Sequence, residues 1–326
     1  MMKFSVLDQI PLSRGDRPEQ AIEKALELAH FTEQLGYTRY WVAEHHHTTG
    51  LISTSPEIMM TRLLSATERI EVGSGGILLP QYSPYKIAEN AKLMEAMFPG
   101  RVNIGIGNSP GGTELTRRAL TDDGESKLND YSRMTEDLIG FMHNTLPNDH
   151  KFRTVKAAPR ISHQPPVWTL GLTENGARCA AELGIGFVFG AFINPKHMKQ
   201  SLDIYYDNFT PSVAMDKPHA ILCVFVVCCE TESEAERHAQ TLDHWLLNVT
   251  YGRDTTVPSI EEIEKKSYTD KERTLIKENR KRCIIGDPEK VRRELEQLPE
   301  VDEVMVICNI HDFEVKKKSY ELIQQL

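Results

Sequence analysis

Eight short apolar runs, each followed by a segment with helical periodicity, constrain this 326-residue chain more than any other feature. The runs fall at residues 3–7, 40–43, 70–75, 102–107, 167–171, 186–189, 220–228 and 303–307. Those at 40–43, 186–189 and 220–228 are apolar without strict alternation, as expected of strands covered on both faces. The helix starts between them are well marked. Asp16-Arg17-Pro18-Glu19 reads as a capping box with proline in the first turn. Ser55-Pro56-Glu57, Ser83-Pro84-Tyr85 and Asn194-Pro195 each put a cap residue before a proline at the first helical position. Thr231 to Glu234 reads as a further capping box, Asp287-Pro288-Glu289 opens a helix, and the last helix covers about residues 311–325.

Eight strands each followed by a helix is the count of a (β/α)8 TIM barrel, an α/β fold of about 250 residues. Two insertions account for the surplus. One follows strand 4 and runs over 108–164, with a helix near 131–142. The other runs over 251–282, after the helix following strand 7. Its polar character, with Thr255-Thr256-Val257-Pro258, predicts a mobile excursion rather than core. A two-domain doubly wound fold competes, but no Pro/Gly/Ser-rich linker divides the chain, so residues 1–326 read as one domain.

A net charge of -9 argues against nucleic-acid and anionic-membrane surfaces. The basic clusters Arg280-Lys281-Arg282 and Lys316-Lys317-Lys318 read as solvated helix faces. The N-terminus lacks a signal-peptide core, and the longest apolar run, 220–229, is too short to span a bilayer. A soluble, cytoplasmic protein is the expectation. The six cysteines show no C-x-x-C spacing and no zinc pattern, which suits reduced thiols.

Active sites of such barrels lie at the C-terminal strand ends. The second strand leads into Glu44-His45-His46-His47, three groups able to act as acid, base or metal ligand beside a carboxylate. His45 and His47 have the H-x-H spacing of a metal pair on one face, so a metal-dependent hydrolase is one reading. No paired carboxylates or second histidine set follow at later strand ends. Glycine concentrates at these ends: Gly75-Gly76, Gly105 to Gly112, Gly171 to Gly176, and Gly190. It lets backbone approach a ligand closely, which suits a flat, bulky cofactor over the barrel mouth. N–H groups at the Gly171–Gly176 turn, with the Thr173 hydroxyl, form a phosphate seat.

Residues 40–46 (Tyr-Trp-Val-Ala-Glu-His-His) resemble the second-strand motif of the bacterial luciferase-like monooxygenases. Residues 72–80 with Ser83-Pro84, residues 98–107 and residues 285–291 are similar to that family's third-strand, fourth-strand and C-terminal segments. The resemblance implies a homodimeric (β/α)8 barrel. It also implies reduced FMN delivered by a separate flavin reductase. That flavin reacts with O2 to form a C4a-peroxide that oxygenates a small organic substrate.

His45 matches the active-site histidine, with Glu44 and His46 as neighbours. Ser74, Gly75 and Gly76 match the segment beneath the isoalloxazine ring, often with a non-proline cis peptide. Residues 251–282 match the position of a mobile loop. The remaining cofactor contacts implied by the resemblance fall on Glu44, Asn108, Gly171, Thr173, Glu174, Asn175, Gly176 and Gly190.

The chain also departs from the pattern. Asn108 stands where many members carry a phosphate-binding arginine. Leu172, Gly176 and Gly190 occupy places often polar. Losing a bidentate cation weakens a phosphate site. That leaves a weakly held flavin, a deazaflavin F420 cofactor, or a non-catalytic flavin binder as readings. The substrate is not specified by the sequence.

Overall fold

The computed structural model describes residues 2–326. Its strands are β1 (Phe4–Asp8), β2 (Arg39–Val42), β3 (Glu71–Ser74), β4 (Ile77–Leu78), β5 (Val102–Gly107), β6 (Val167–Gly171), β7 (Gly186–Gly190), β8 (Ala220–Cys228), β9 (Cys283–Gly286) and β10 (Glu303–Ile307). All pair in parallel. Strand β10 pairs with both β8 and β1, which closes β1, β2, β3, β5, β6, β7, β8 and β10 into the expected barrel.

Parallel neighbours need long crossovers. These are supplied by α1 (Pro18–Leu35), α2 (Pro56–Ala66), α3 (Pro84–Met97), α4 (Glu114–Leu120), α5 (Tyr131–His143), α6 (Glu174–Leu183), α7 (Met198–Asn208), α8 (Glu232–Thr250), α9 (Ile260–Ile263), α10 (Asp270–Arg280), α11 (Pro288–Leu295) and α12 (Phe313–Gln324). Among the described residues no helix is long and apolar enough to cross a membrane.

Local chemistry explains the element ends. Helix α1 buries Ala21, Ala25, Leu28 and Ala29, one face of a 3.6-residue period, and stops at Gly36, whose φ of 87° is left-handed. Its start differs from the expected box: Gln20 accepts the Arg17 N–H, while Asp16 pairs with Lys24. Thr231 and Asp287 cap their helices as expected, but the Ser55 and Ser83 side chains make no cap bond.

Three further differences bear on the site. The third apolar run is two strands: β3 ends at Ser74, the Gly75–Gly76 peptide is cis, and β4 rejoins the sheet against β5. Strand β8 outruns the barrel, and its last four residues pair with β9, which periodicity did not reveal. The 251–282 insertion is not a loose excursion. Val257 is fully buried and bridges Ser13, and Ile260 and Ile263 are buried beyond it. Lys316 likewise is no solvated charge: it is buried, 3.1 Å from Asp8.

Below the mouth the barrel is plugged. The Trp41 and Trp168 rings meet edge to face at 5.7 Å. A Cβ on Gly73 would lie 2.4 Å from Trp41 Nε1, so only glycine leaves room for the ring. Arg39 and the buried Glu303 form an ion pair at 2.5 Å under this layer. Above this layer, at the C-terminal strand ends, the barrel opens into a cavity.

Candidate active site

That space is a cavity of about 840 Å³ at the C-terminal mouth. It is reached by Glu44, His45 and His46 after β2, by Gly75 and Gly76 after β3, and by Gly107 to Ser109 after β5. Gly171 to Thr173, Asn175 and Gly176 after β6, and Gly190 after β7, complete the ring. Two expected contacts fall outside it. The Ser74 hydroxyl is fully buried and consumed by Gly105, donating to its oxygen at 2.8 Å and accepting its N–H at 3.0 Å. Glu174 begins α6 but does not line the cavity.

The Glu44-His45-His46-His47 run is divided among different tasks by its neighbours. The buried Glu44 carboxylate accepts from Tyr82 Oη at 2.5 Å and the Leu78 N–H at 2.8 Å, and pairs with His46 Nε2 at 2.7 Å. It therefore ties the ends of β2 and β4 together. His47 is exposed with a φ of 53°. Among the described residues no group of three His, Cys, Asp or Glu is placed to hold a metal ion.

His45 lines the cavity, and its Nδ1 has no hydrogen-bond partner. Burial, with the neighbouring His46, pushes its pKa down to about 4, so the imidazole is neutral near pH 7. The loop that follows folds back: His45 N–H donates to the Ser53 carbonyl at 2.9 Å, and Leu12 N–H to the Gly50 carbonyl at 2.9 Å.

Glycine shapes the opposite wall. A Cβ on Gly107 would meet nothing within 4 Å and would project into open space. Gly171 and Gly176 face each other so closely that a Cβ on Gly176 would lie 3.4 Å from the Gly171 Cα. Beside them α6 presents its N-terminal N–H groups, and the Thr173 side chain is not used as a helix cap. Among the described residues neither lysine nor arginine lines the cavity.

Several lining residues escaped the sequence reading: Leu7 and Gln9 at the end of β1, Tyr131 on α5, Phe192 after β7, Cys223 on β8 and Met305 on β10. The strand-end rule would have reached Gln9, one residue beyond the first strand. Tyr131 sits inside an insertion and carries no local signal. It is placed by bonds to the Ile106 carbonyl at 3.1 Å and Thr169 Oγ1 at 2.7 Å.

A parallel barrel with a glycine-walled mouth and a half-buried neutral histidine at one strand end is an architecture of cofactor-using α/β barrel enzymes. Residues 2–301 match the luciferase-like monooxygenase family, and the chain belongs to it. The uncharacterized protein YceB of Bacillus subtilis (strain 168) is 48% identical over 329 residues, covering 100% of this chain and 99% of the relative. The crystal structure of apo-MsnO8 shares 31% identity and a TM-score of 0.91, covering 100% of this chain and 98% of that one.

Two solved structures share the fold at 17% identity. One is the oxygenating constituent of 3,6-diketocamphane monooxygenase of Pseudomonas putida in complex with FMN (TM-score 0.69, covering 100% and 97%). The other is an F420-dependent secondary alcohol dehydrogenase with an F420–acetone adduct (TM-score 0.68, covering 99% and 99%).

Proposed function

We propose that the protein is a monooxygenase that takes reduced FMN from a separate flavin reductase and uses it with O2 to oxygenate a small, mostly apolar organic substrate. The observation that carries this reading is His45, a neutral imidazole in the wall of a cavity that glycines after four strands help to line. A flat tricyclic ring fits that rim, since a side chain at Gly107 would occupy the space it needs. The cofactor phosphate would be received by Asn108, Thr173 and Asn175 and by the N-terminal N–H groups of α6.

Bound reduced flavin supplies two electrons to O2, so that one oxygen atom goes to the substrate and the other leaves as water. His45 holds or moves the proton this requires at its imidazole. A negative charge brought beside it would raise its pKa from about 4 toward neutrality. Glu44 acts on position rather than chemistry, since its three partners occupy both carboxylate oxygens. Leu7, Leu51, Phe192 and Met305 would hold the substrate body and exclude water. The same reading carries a homodimer and a transient contact with the reductase.

The test is anaerobic titration with reduced FMN, followed by exposure to O2. Saturable binding and reoxidation at a rate distinct from free reduced FMN are expected. No binding, with reoxidation at the free rate, would overturn the reading. Binding of F420 in place of FMN in the same assay would move the protein to the F420-dependent oxidoreductases. The thinned phosphate site motivates that second reading.

A further inference from the structure

The cavity wall opposite the glycines holds one feature that the cofactor does not explain. Gln9 follows β1 on the same face as Leu7, and both line the cavity. Gln9 is 6% exposed, so it is not a surface amide. Strands β1 and β10 are in register at Val6 and Val306, which sets Gln9 beside Asn309 three residues further on. Asn309 is fully buried, and its Nδ2 donates to Gln9 Oε1 at 2.7 Å. That bond fixes the Gln9 amide. Among the described residues no side chain or backbone group accepts from its Nε2, the end left for the cavity. The same cavity is lined by the apolar Leu7, Val188 and Met305 and by the Cys223 thiol. Nε2 keeps accessible surface on the cavity, so an occupant that displaces water from it must accept its hydrogen bond or leave the donor unpaired.

We infer that Gln9, held by Asn309, is the specificity-determining donor for the substrate. The site takes an uncharged, mostly apolar molecule bearing one carbonyl-type oxygen that accepts from Gln9 Nε2. This rests on the oxygenase reading and deepens it by naming the substrate class. An analogue lacking that oxygen leaves Nε2 unpaired and is rejected. Asn309 is a positioning residue, acting through Gln9 and not on the substrate.

The probes are acetophenone and α-methylstyrene, a pair of like shape in which a CH2 group replaces the carbonyl oxygen. Their dissociation constants are measured anaerobically by ligand-detected NMR, with and without reduced FMN. The readout is the ratio of the two constants, compared between wild type and variants. Gln9→Leu is expected to shift the ratio about tenfold against acetophenone, the size of one hydrogen bond. Gln9→Glu keeps the shape and the acceptor for Asn309 but turns an acceptor on the cavity. It is expected to lose acetophenone at least as strongly while keeping α-methylstyrene. A ratio unchanged in both variants overturns the proposal, and so does a Gln9→Leu variant that loses reduced FMN itself. Failure of wild type to bind reduced FMN overturns the oxygenase reading instead, and the flavin-free measurements still decide the role of Gln9.

Discussion

The Glu44 carboxylate lies 2.7 Å from Nε2 of His46, one residue past His45, which lines the cavity and has no partner at its buried Nδ1. Adjacent residues in one run thus have opposite fates. His46 is held by a carboxylate, and His45 is held only by its backbone and by burial. Replacing Glu44 with alanine strands the Tyr82 hydroxyl and the Leu78 N–H inside the protein. We expect a loss of about 3 kcal/mol in urea unfolding, and about 1 kcal/mol for Glu44→Gln, which keeps an acceptor.

His45→Ala is expected to leave reduced-flavin affinity within about twofold while oxygenation falls about 10²-fold, the usual size of a lost acid–base group. Stopped-flow reoxidation and product analysis separate the two effects.

The same histidine imposes a pH dependence on stability. Its folded pKa of about 4 lies below the ordinary 6.5, so the unfolded chain takes up a proton that the folded chain refuses. Stability therefore falls as pH drops from about 6.5 toward 4, by about 2 kcal/mol from this group. Urea midpoints at pH 7 and 4.5 check it. The fall should be smaller in His45→Ala, and His244, also pushed down to about 4 by burial, accounts for part of the remainder.

Asp254 pins the insertion to the loop after the histidines. Its carboxylate accepts from Thr48 Oγ1 at 2.5 Å, from Thr49 N and Oγ1 at 2.7 Å each, and from Gly50 N at 3.3 Å. Burial raises its pKa, but these bonds outweigh it and the net shift is downward. The stabilisation is thus present above the ordinary carboxylate range and lost as pH falls through the lowered value. Asp254→Ala should cost about 1 kcal/mol. Faster hydrogen exchange should appear at residues 48–51 and 254–257, with the rest of the barrel unchanged.

Gly107→Phe tests the cavity directly. The new side chain enters open space, so circular dichroism should show an intact fold. Reduced-flavin affinity should fall at least about tenfold, or ~1.4 kcal/mol.

Much of this was legible along the chain because it is encoded locally. Runs such as Ala220–Cys228, buried at every position, and proline-led helix starts such as Pro56 and Pro84 are short-range patterns. Glycines that cluster at strand ends, and His45 after Trp41 to Ala43, could be placed by counting strands. Strand β9 was not legible, because four residues inside a polar stretch acquire strand character only by pairing with the overhang of β8. The burial of Val257 was hidden for the same reason: its partner, Ser13, lies at the other end of the sequence.

The sequence by itself determined the barrel, its order of elements, and the strand end at which a titrating group would stand. Only the tertiary structure decided which member of Glu44-His45-His46-His47 would be free. That depended on Tyr82 and Leu78 arriving from another strand to share Glu44, and on what covered His45. It likewise withdrew Ser74 into the sheet and brought Gln9 and Asn309 together from opposite ends of the chain. Side-chain bonds between distant residues depend on closure of the barrel, and no local pattern records them.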